Sequence, residues 1–340
     1  MTTVPQGPTG GNRLLILAPN WLGDAVMSLP AIADVVRSGR HETIAIAARP
    51  SIAPLFELVP GLSAVVDVGS PLVSGDAYDC AILLPNSFRS AWRVWRAGIR
   101  ERWGYLTQGR QRLLTKGVAL GPRAHQTAYY QTLTTALGYE PGGSTPSLNA
   151  SDVLLAKGRD LLERAGWNGS TPLVGFAPGA ANGRAKQWPS ASYAGVVRAL
   201  AEDRITPVLV GSPGDAQAGR DVLDGMNARL QSRVVNLIGR TDLPTLAGVL
   251  AHCRQLVCND SGGMHFAAAL GVNVTAMFGP SNERETHPVG GARTLVMTHA
   301  VWCRPCMLRE CPLDHRCMSG ITVHDVYAAV RETLRTDAAR

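Results

Sequence analysis

The sequence has no apolar run of the roughly 18 residues that a bilayer-spanning helix needs, so no spanning segment is expected. Its first twelve residues, MTTVPQGPTGGN, are polar and rich in Pro and Gly, without the basic and apolar regions of a secretory signal. They are expected to be a flexible tail on a cytoplasmic protein whose seven cysteines stay reduced. No GK[ST] is present, which excludes a P-loop. Aromatics make up only 6% of the chain and form no nucleic-acid reading motif, so a nucleic-acid partner is not expected. Lysine is scarce as well. Of 33 basic residues only Lys116, Lys157 and Lys186 are lysines, a bias typical of GC-rich coding. A lysine that survives at a motif position therefore draws attention. What the chain does have is 340 residues, 45% of them hydrophobic, enough for two domains of ordinary size. A net charge of +7 favours anionic partners, among them phosphorylated sugars and anionic lipid.

Short apolar runs alternate with helical periodicity along the whole chain, which predicts an α/β protein with helices on both faces of parallel sheets. In the first half, runs at 13–18, 43–47, 64–68 and 80–84 read as strands, and 25–37 as a helix after the turn PNWLGD. The pattern restarts after a Gly/Pro-rich break at 166–172. The spacing predicts strands at 173–177, 207–211, 234–238, 255–258 and 273–278, alternating with helices. A domain boundary is expected near residue 168, giving domains at 13–168 and 169–322 and a closing helix and tail at 323–340. Doubly wound sheets offer ligands the C-terminal ends of their strands, and two such domains would enclose a cleft.

Three motifs fall at such strand ends. In QLVCNDSGGMHFAAALGVNVTAMFGPS (255–281) a strand runs into the polar turn 259–263, then a helix and a second strand. The free amides of that helix N-terminus suit a phosphate or pyrophosphate. Asp260, Ser261 and His265 add an acceptor, a hydroxyl and a donor, and Gly262 and Gly263 permit close approach to the backbone. A capped helix leading into ordinary core is the plain alternative. Gly179-Ala180, a polar loop and Lys186-Gln187-Trp188-Pro189 follow the strand at 173–177, as either a phosphate-binding or an ordinary surface loop. Gly23-Asp24 follows the first strand, with Asp24 either a charge favourable to the helix macrodipole or a general base.

These motifs, in this order, resemble the ADP-heptose:lipopolysaccharide heptosyltransferases of glycosyltransferase family 9, over about residues 13 to 335. PNWLGDAVMSLPAI, with Trp21 before the Gly-Asp pair, most resembles the branch that adds the second inner-core heptose. The resemblance implies a GT-B fold, two Rossmann-like domains facing a central cleft, with the acceptor on the first and the nucleotide sugar on the second. It implies inversion at the anomeric carbon without an obligatory metal or other cofactor. Carried over, Asp24 would deprotonate the acceptor beside Gly23 and Lys186 would neutralise the leaving diphosphate. Gly179, Ala180, Asp260, Ser261, Gly262, Gly263 and His265 would surround the nucleotide, and Asp215, after GSPG, is a further candidate.

Residues 86–123 carry nine basic residues against one acid, Glu101. Arg89, Arg93, Arg96 and Arg100 are spaced to share one helical face, with Trp92, Trp95 and Ile99 on another that would be core. With almost no acids to pair with, the Arg face is expected to meet an anionic acceptor, Kdo and lipid A groups, and to rest on the inner leaflet. Near the C-terminus Cys303, Cys306, Cys311 and Cys317 lie within fifteen residues, a spacing that could hold structural Zn2+ tetrahedrally or be an unliganded loop. The competing functions are a related glycosyltransferase with another donor or acceptor, and a non-catalytic nucleotide-sugar or anion-binding protein.

Overall fold

A computed structural model of the chain describes residues 13–71, 73–180 and 183–338; the expected tail at 1–12 lies outside the described residues, as do Ala181 and Asn182 of the Lys186 loop. The chain divides into two compact units, 1–146 and 147–340. In the first, six parallel strands are β1 (Arg13–Leu17), β2 (Thr43–Ala48), β3 (Ala64–Asp67), β4 (Cys80–Leu83), β5 (Glu101–Tyr105) and β6 (Lys116–Val118), in the order β3-β2-β1-β4-β5-β6. In the second they are β7 (Leu173–Ala177), β8 (Thr206–Leu209), β9 (Val235–Asn236), β10 (Cys253–Asn259), β11 (Asn273–Phe278) and β12 (Thr294–Thr298), in the order β12-β11-β10-β7-β8-β9. Counted from its own first strand, each sheet has the doubly wound order 3-2-1-4-5-6.

The central strands read as unbroken apolar runs because helices bury both of their faces. Leu14, Leu15, Ile16 and Leu17 of β1 are all at most 1% exposed. In the first unit Leu15, Ala45, Ala81 and Leu83 pack with Ala91, Val94 and Ile99. In the second, Val174, Phe176, Val257 and Met277 pack beneath Tyr193, Val196 and Leu200, and the closing helix Val323–Ala338 adds Val326 and Val330. In each sheet the direction of winding reverses once, between β1 and β4 and between β7 and β10. Loops leaving the carboxyl ends of these two strand pairs line the crevice in which such sheets hold ligands.

Three expectations change. The helix expected at 25–37 is two helices, Leu22–Met27 and Leu29–Arg37, because Pro30 lacks the N–H that would continue the first. The Ser28 hydroxyl closes the break by donating to the Ala25 carbonyl at 2.7 Å. The first helix thus begins at Leu22 and takes Asp24 into its first turn. Strands β5, β6 and β12 are additional.

The boundary lies between Pro146 and Ser147, not near 168. The helix Asp152–Arg164 belongs to the second unit because it crosses the helix Leu243–Ala251 at two glycines. A Cβ on Gly158 would strike the Gly248 carbonyl carbon, and one on Gly248 would strike the Leu154 carbonyl. Beside the crossing, a ring nitrogen of His252 bonds the Leu155 carbonyl at 2.9 Å.

Candidate active site

The loops after β7 and β10 are neighbours because their strands pair directly. That adjacency brings Lys186, on a 3₁₀ turn (Arg184–Lys186), to Asp260 at 2.6 Å. The carboxylate is 6% exposed and the lysine is partly open, so the pair is shielded on one side and reachable on the other. An ammonium has three donors. Lys186 can keep Asp260 and still meet a second anion.

Fully buried Asn259 fixes this geometry from beneath. Its amide nitrogen donates to the carbonyls of Pro178 (2.9 Å) and Gly179 (3.1 Å). Its oxygen accepts from the Trp188 N–H (2.9 Å) and the Tyr193 hydroxyl (3.0 Å). One side chain thus ties the end of β10 to both ends of the Lys186 loop. In the sequence, the one signal of Asn259 is a polar residue closing an apolar strand.

Ser261 caps the helix Gly262–Ala269 in extended conformation, and its hydroxyl makes no cap bond to the helix amides. Gly262 and Gly263 form the first turn, two residues earlier than expected, so their amides belong to the helix N-terminus. A Cβ on Gly263 would meet only the Ser261 hydroxyl, at 3.7 Å. Packing does not demand that glycine, and its absent side chain leaves the amides accessible. His265 lies on the same helix and is 4% exposed.

Gly179 is buried against Asp215, and the two fit together because a Cβ on Gly179 would occupy the place of the Asp215 carboxylate. One oxygen of Asp215 accepts from the Ser212 amide (2.8 Å) and hydroxyl (2.7 Å), closing a capping box. Asp215 therefore shapes the loop beside Ala180 as well as bordering it.

In the first unit Asp24 follows β1 at the switch between β1 and β4, half-buried, with Gly23 just before it. It is near buried Tyr130, of the helix Gln126–Ala136, whose phenol is pushed up by burial and then by the Asp24 charge. Asp34 makes an instructive contrast. It is 1% exposed and occupied by Arg37 (2.7 Å), the Gly142 amide (2.8 Å) and Gln131 (3.0 Å). Asp34 holds the fold together, whereas Asp24 stands at the carboxyl edge of the sheet.

The Arg-rich segment divides. The helix Phe88–Arg96 follows β4 and carries Arg89, Arg93 and Arg96 around a surface recess that Trp92 also lines. Arg93 donates to the Val68 carbonyl, just past β3. Arg100 is not on this face. The helix is capped at Ala97, and Arg100 stands before β5 near Asp79, at the amino ends of the strands. Trp92 and Trp95 are not core either; Ala91 and Val94 are. The two indoles are 42% and 46% exposed, with ring centroids 4.9 Å apart. Arg110, by contrast, is buried and donates to the Tyr105 carbonyl, and burial lowers its pKa to about 10.

Of the two readings of the cysteine spacing, structural zinc or an unliganded loop, the structure does not show the first. Among the described residues no three His, Cys, Asp or Glu side chains gather as metal ligands. Cys317 is part of the apolar core with Met318 and Ile321, while Cys303, Cys306 and Cys311 are half-buried on the segment above. Burial, ahead of the three neighbouring thiols, pushes the Cys317 thiol up and keeps it protonated.

Two doubly wound sheets, each with its own switch point, are the architecture of the GT-B class of glycosyltransferases. The sequence pattern of glycosyltransferase family 9 (heptosyltransferase) matches residues 72–316, and the chain belongs to that family. It is 30% identical over 299 residues to lipopolysaccharide heptosyltransferase 2 of Escherichia coli K12, covering 82% of this chain and 85% of that protein. It is 29% identical over 315 residues to lipooligosaccharide heptosyltransferase 2 of Haemophilus ducreyi, covering 84% and 88%. The structure of E. coli ADP-heptose LPS heptosyltransferase II superposes with a TM-score of 0.84 at 27% identity, over 96% of this chain and 99% of that one.

Proposed function

We propose that this enzyme transfers L-glycero-D-manno-heptose from ADP-heptose to heptosyl-Kdo2-lipid A, adding the second heptose of the lipopolysaccharide inner core. The observation that carries the reading is the Lys186–Asp260 pair beside the Gly262 and Gly263 amides, a cation and a helix N-terminus at one switch point. Two negative phosphates fit that combination. The relatedness to heptosyltransferases 2 supports the choice of donor and acceptor.

In this reading Asp24 takes the proton from the acceptor hydroxyl as its oxygen attacks the anomeric carbon from the face opposite the diphosphate. The bond from that carbon to the phosphate oxygen breaks, and its electron pair leaves with ADP. Lys186 and the helix amides receive the growing charge, a pre-placed stabilisation realised as the bond breaks. Asp260 aims Lys186, Ser261 and Asp260 hold ribose or phosphate, and Gly179, Ala180, Asp215 and His265 border the nucleotide. The charge management needs no metal step.

Arg89, Arg93 and Arg96 would receive the carboxylates and phosphates of the acceptor, for which guanidinium forks are suited. Among the described residues no helix is long and apolar enough to cross a membrane. Contact with the inner leaflet would therefore be peripheral, from the cytoplasmic side, through these arginines and the exposed Phe88, Trp92 and Trp95.

The test is incubation of the purified chain with ADP-heptose and either heptosyl-Kdo2-lipid A or Kdo2-lipid A, followed by mass analysis. Gain of one heptose by the first acceptor alone is expected. Transfer only to Kdo2-lipid A would make it the enzyme of the first heptose, and transfer only from another nucleotide sugar would overturn the donor.

A further inference from the structure

Residues 303–318 contain little regular structure beyond the start of the short helix Arg316–Ser319, yet their hydrogen bonds converge on two site loops. The first is the loop that carries Lys186. Ala185, 3% exposed, is gripped at both backbone groups: its N–H donates to the Arg309 carbonyl at 2.9 Å, and its carbonyl accepts from His315 Nε2 at 2.6 Å. Gly183, at φ 115°, leaves the room this contact needs, since a Cβ there would run into the Arg309 backbone. The second is the turn after β11. Arg304 Nε donates to the Gly279 carbonyl at 2.8 Å, the Met307 N–H donates to the Pro280 carbonyl at 2.9 Å, and Arg304 also pairs with Glu283 at 2.9 Å.

The grip on Ala185 matters because of its neighbour. Lys186 reaches Asp260 through a four-carbon stem, and such a side chain is aimed only as well as its own backbone is fixed. A buried peptide group without partners would cost free energy and would be free to find others. His315 is itself held, because its carbonyl accepts from the amides of Met318 and Ser319, at 3.0 and 3.1 Å. A carbonyl can only accept, so His315 must carry a proton on Nε2 to make this contact.

We propose that residues 303–318 are a strap that sets the position of Lys186, with His315 as the positioning residue acting through the Ala185 carbonyl. This rests on the reading of Lys186 as the residue that faces the ADP diphosphate. Cys317 roots the strap in the core while the Arg309 carbonyl and His315 hold the loop.

A double-mutant cycle on the full chain tests it, with ADP as the titrant in calorimetry and ADP-heptose in steady-state turnover. His315→Ala should weaken ADP binding about tenfold, the size of one lost hydrogen bond of about 1.4 kcal/mol. His315→Gln, which can place an N–H near the same point, should recover affinity to within about threefold. In the Lys186→Ala background, His315→Ala should cost almost nothing more, because two residues that act through one group are not additive. The KM for the acceptor should not move. Should His315→Ala fail to fold, Gly183→Ala pushes the strap from the other side with His315 intact, and the same loss of ADP affinity is expected.

Wild-type ADP affinity in either variant, or full additivity with Lys186→Ala, overturns the strap alone. If Lys186→Ala itself leaves ADP affinity and turnover unchanged, the strap and the reading beneath it fall together.

Discussion

In the first unit the chain leaving β1, at the switch between β1 and β4, enters a short helix bearing Asp24; in the second, the loops leaving the paired strands β7 and β10 carry Lys186 and Asp260. The strand order is the same, and so is the edge, but the first switch point carries Asp24 and the second carries the Lys186–Asp260 pair. The second unit also has a tie that the first has only in part. Asn259 closes β10 with four hydrogen bonds. After β4, Asn86 donates to the Tyr129 hydroxyl at 2.6 Å, and its buried oxygen has no partner among the described residues. Topology therefore chooses where a ligand can bind, and the loops choose what it can be. A rigidly tied loop that presents a lysine suits a fixed nucleotide, and a carboxylate in the first turn of a helix suits a hydroxyl that must be activated.

Four experiments can break or sharpen that comparison. The largest effect is expected from Asp24→Ala, which should lower turnover ~10²–10⁴-fold, as the loss of a general base does. ADP binding measured by calorimetry should stay as it was; turnover within a few-fold of wild type would reduce Asp24 to a helix-end charge. Next comes Lys186→Ala, expected to lower turnover about 10²–10³-fold, the scale of one lost charge-stabilising donor, and to weaken ADP binding as well. Here unchanged ADP affinity would remove the cation from the nucleotide.

Asn259→Ala should lower the thermal unfolding midpoint more than Asn86→Ala does. It strands two carbonyls and the Trp188 amide, at about 1–3 kcal/mol for each buried group left unpaired, whereas Asn86→Ala forfeits one bond of about 1 kcal/mol. Equal shifts would mean that the two edges are equally tied. The smallest effect is expected from replacing Arg93 and Arg96 together with Gln. It should raise the acceptor KM several-fold, flatten its salt dependence and leave the KM for ADP-heptose alone. A change in the donor KM only would invert the assignment of the two units.

Much of this was legible in the residues. RLLIL, CAIL and NVTAMF announce buried parallel strands, and the Gly-Asp, Lys and Asp-Ser-Gly-Gly motifs all come to carboxyl ends of strands. What the sequence hid has physical reasons. ERWGY opens with two charged residues, and KGV is three residues at a sheet edge, so neither has the apolar length that marks a strand. Trp92 and Trp95 fit a core stripe by spacing, yet the smaller Ala91 and Val94 turn inward. Arg100 shares the Arg face only if helical turns run on through Gly98, which lies past the helix end with a φ of 76°. The bonds of Asn259 join residues 66 to 81 positions apart and exist only once the sheet has formed.

The helix crossing at Gly158 and Gly248 has a consequence for the genetics of this chain. At most tight contacts a bulky change on one side can be answered by trimming the other. Here each side is already glycine, and the obstacle on each is main chain. A strain carrying Gly158→Ala should thus yield revertants mainly at codon 158 itself. Second-site suppressors, if selected, should raise stability from elsewhere in the second unit instead of restoring the fit.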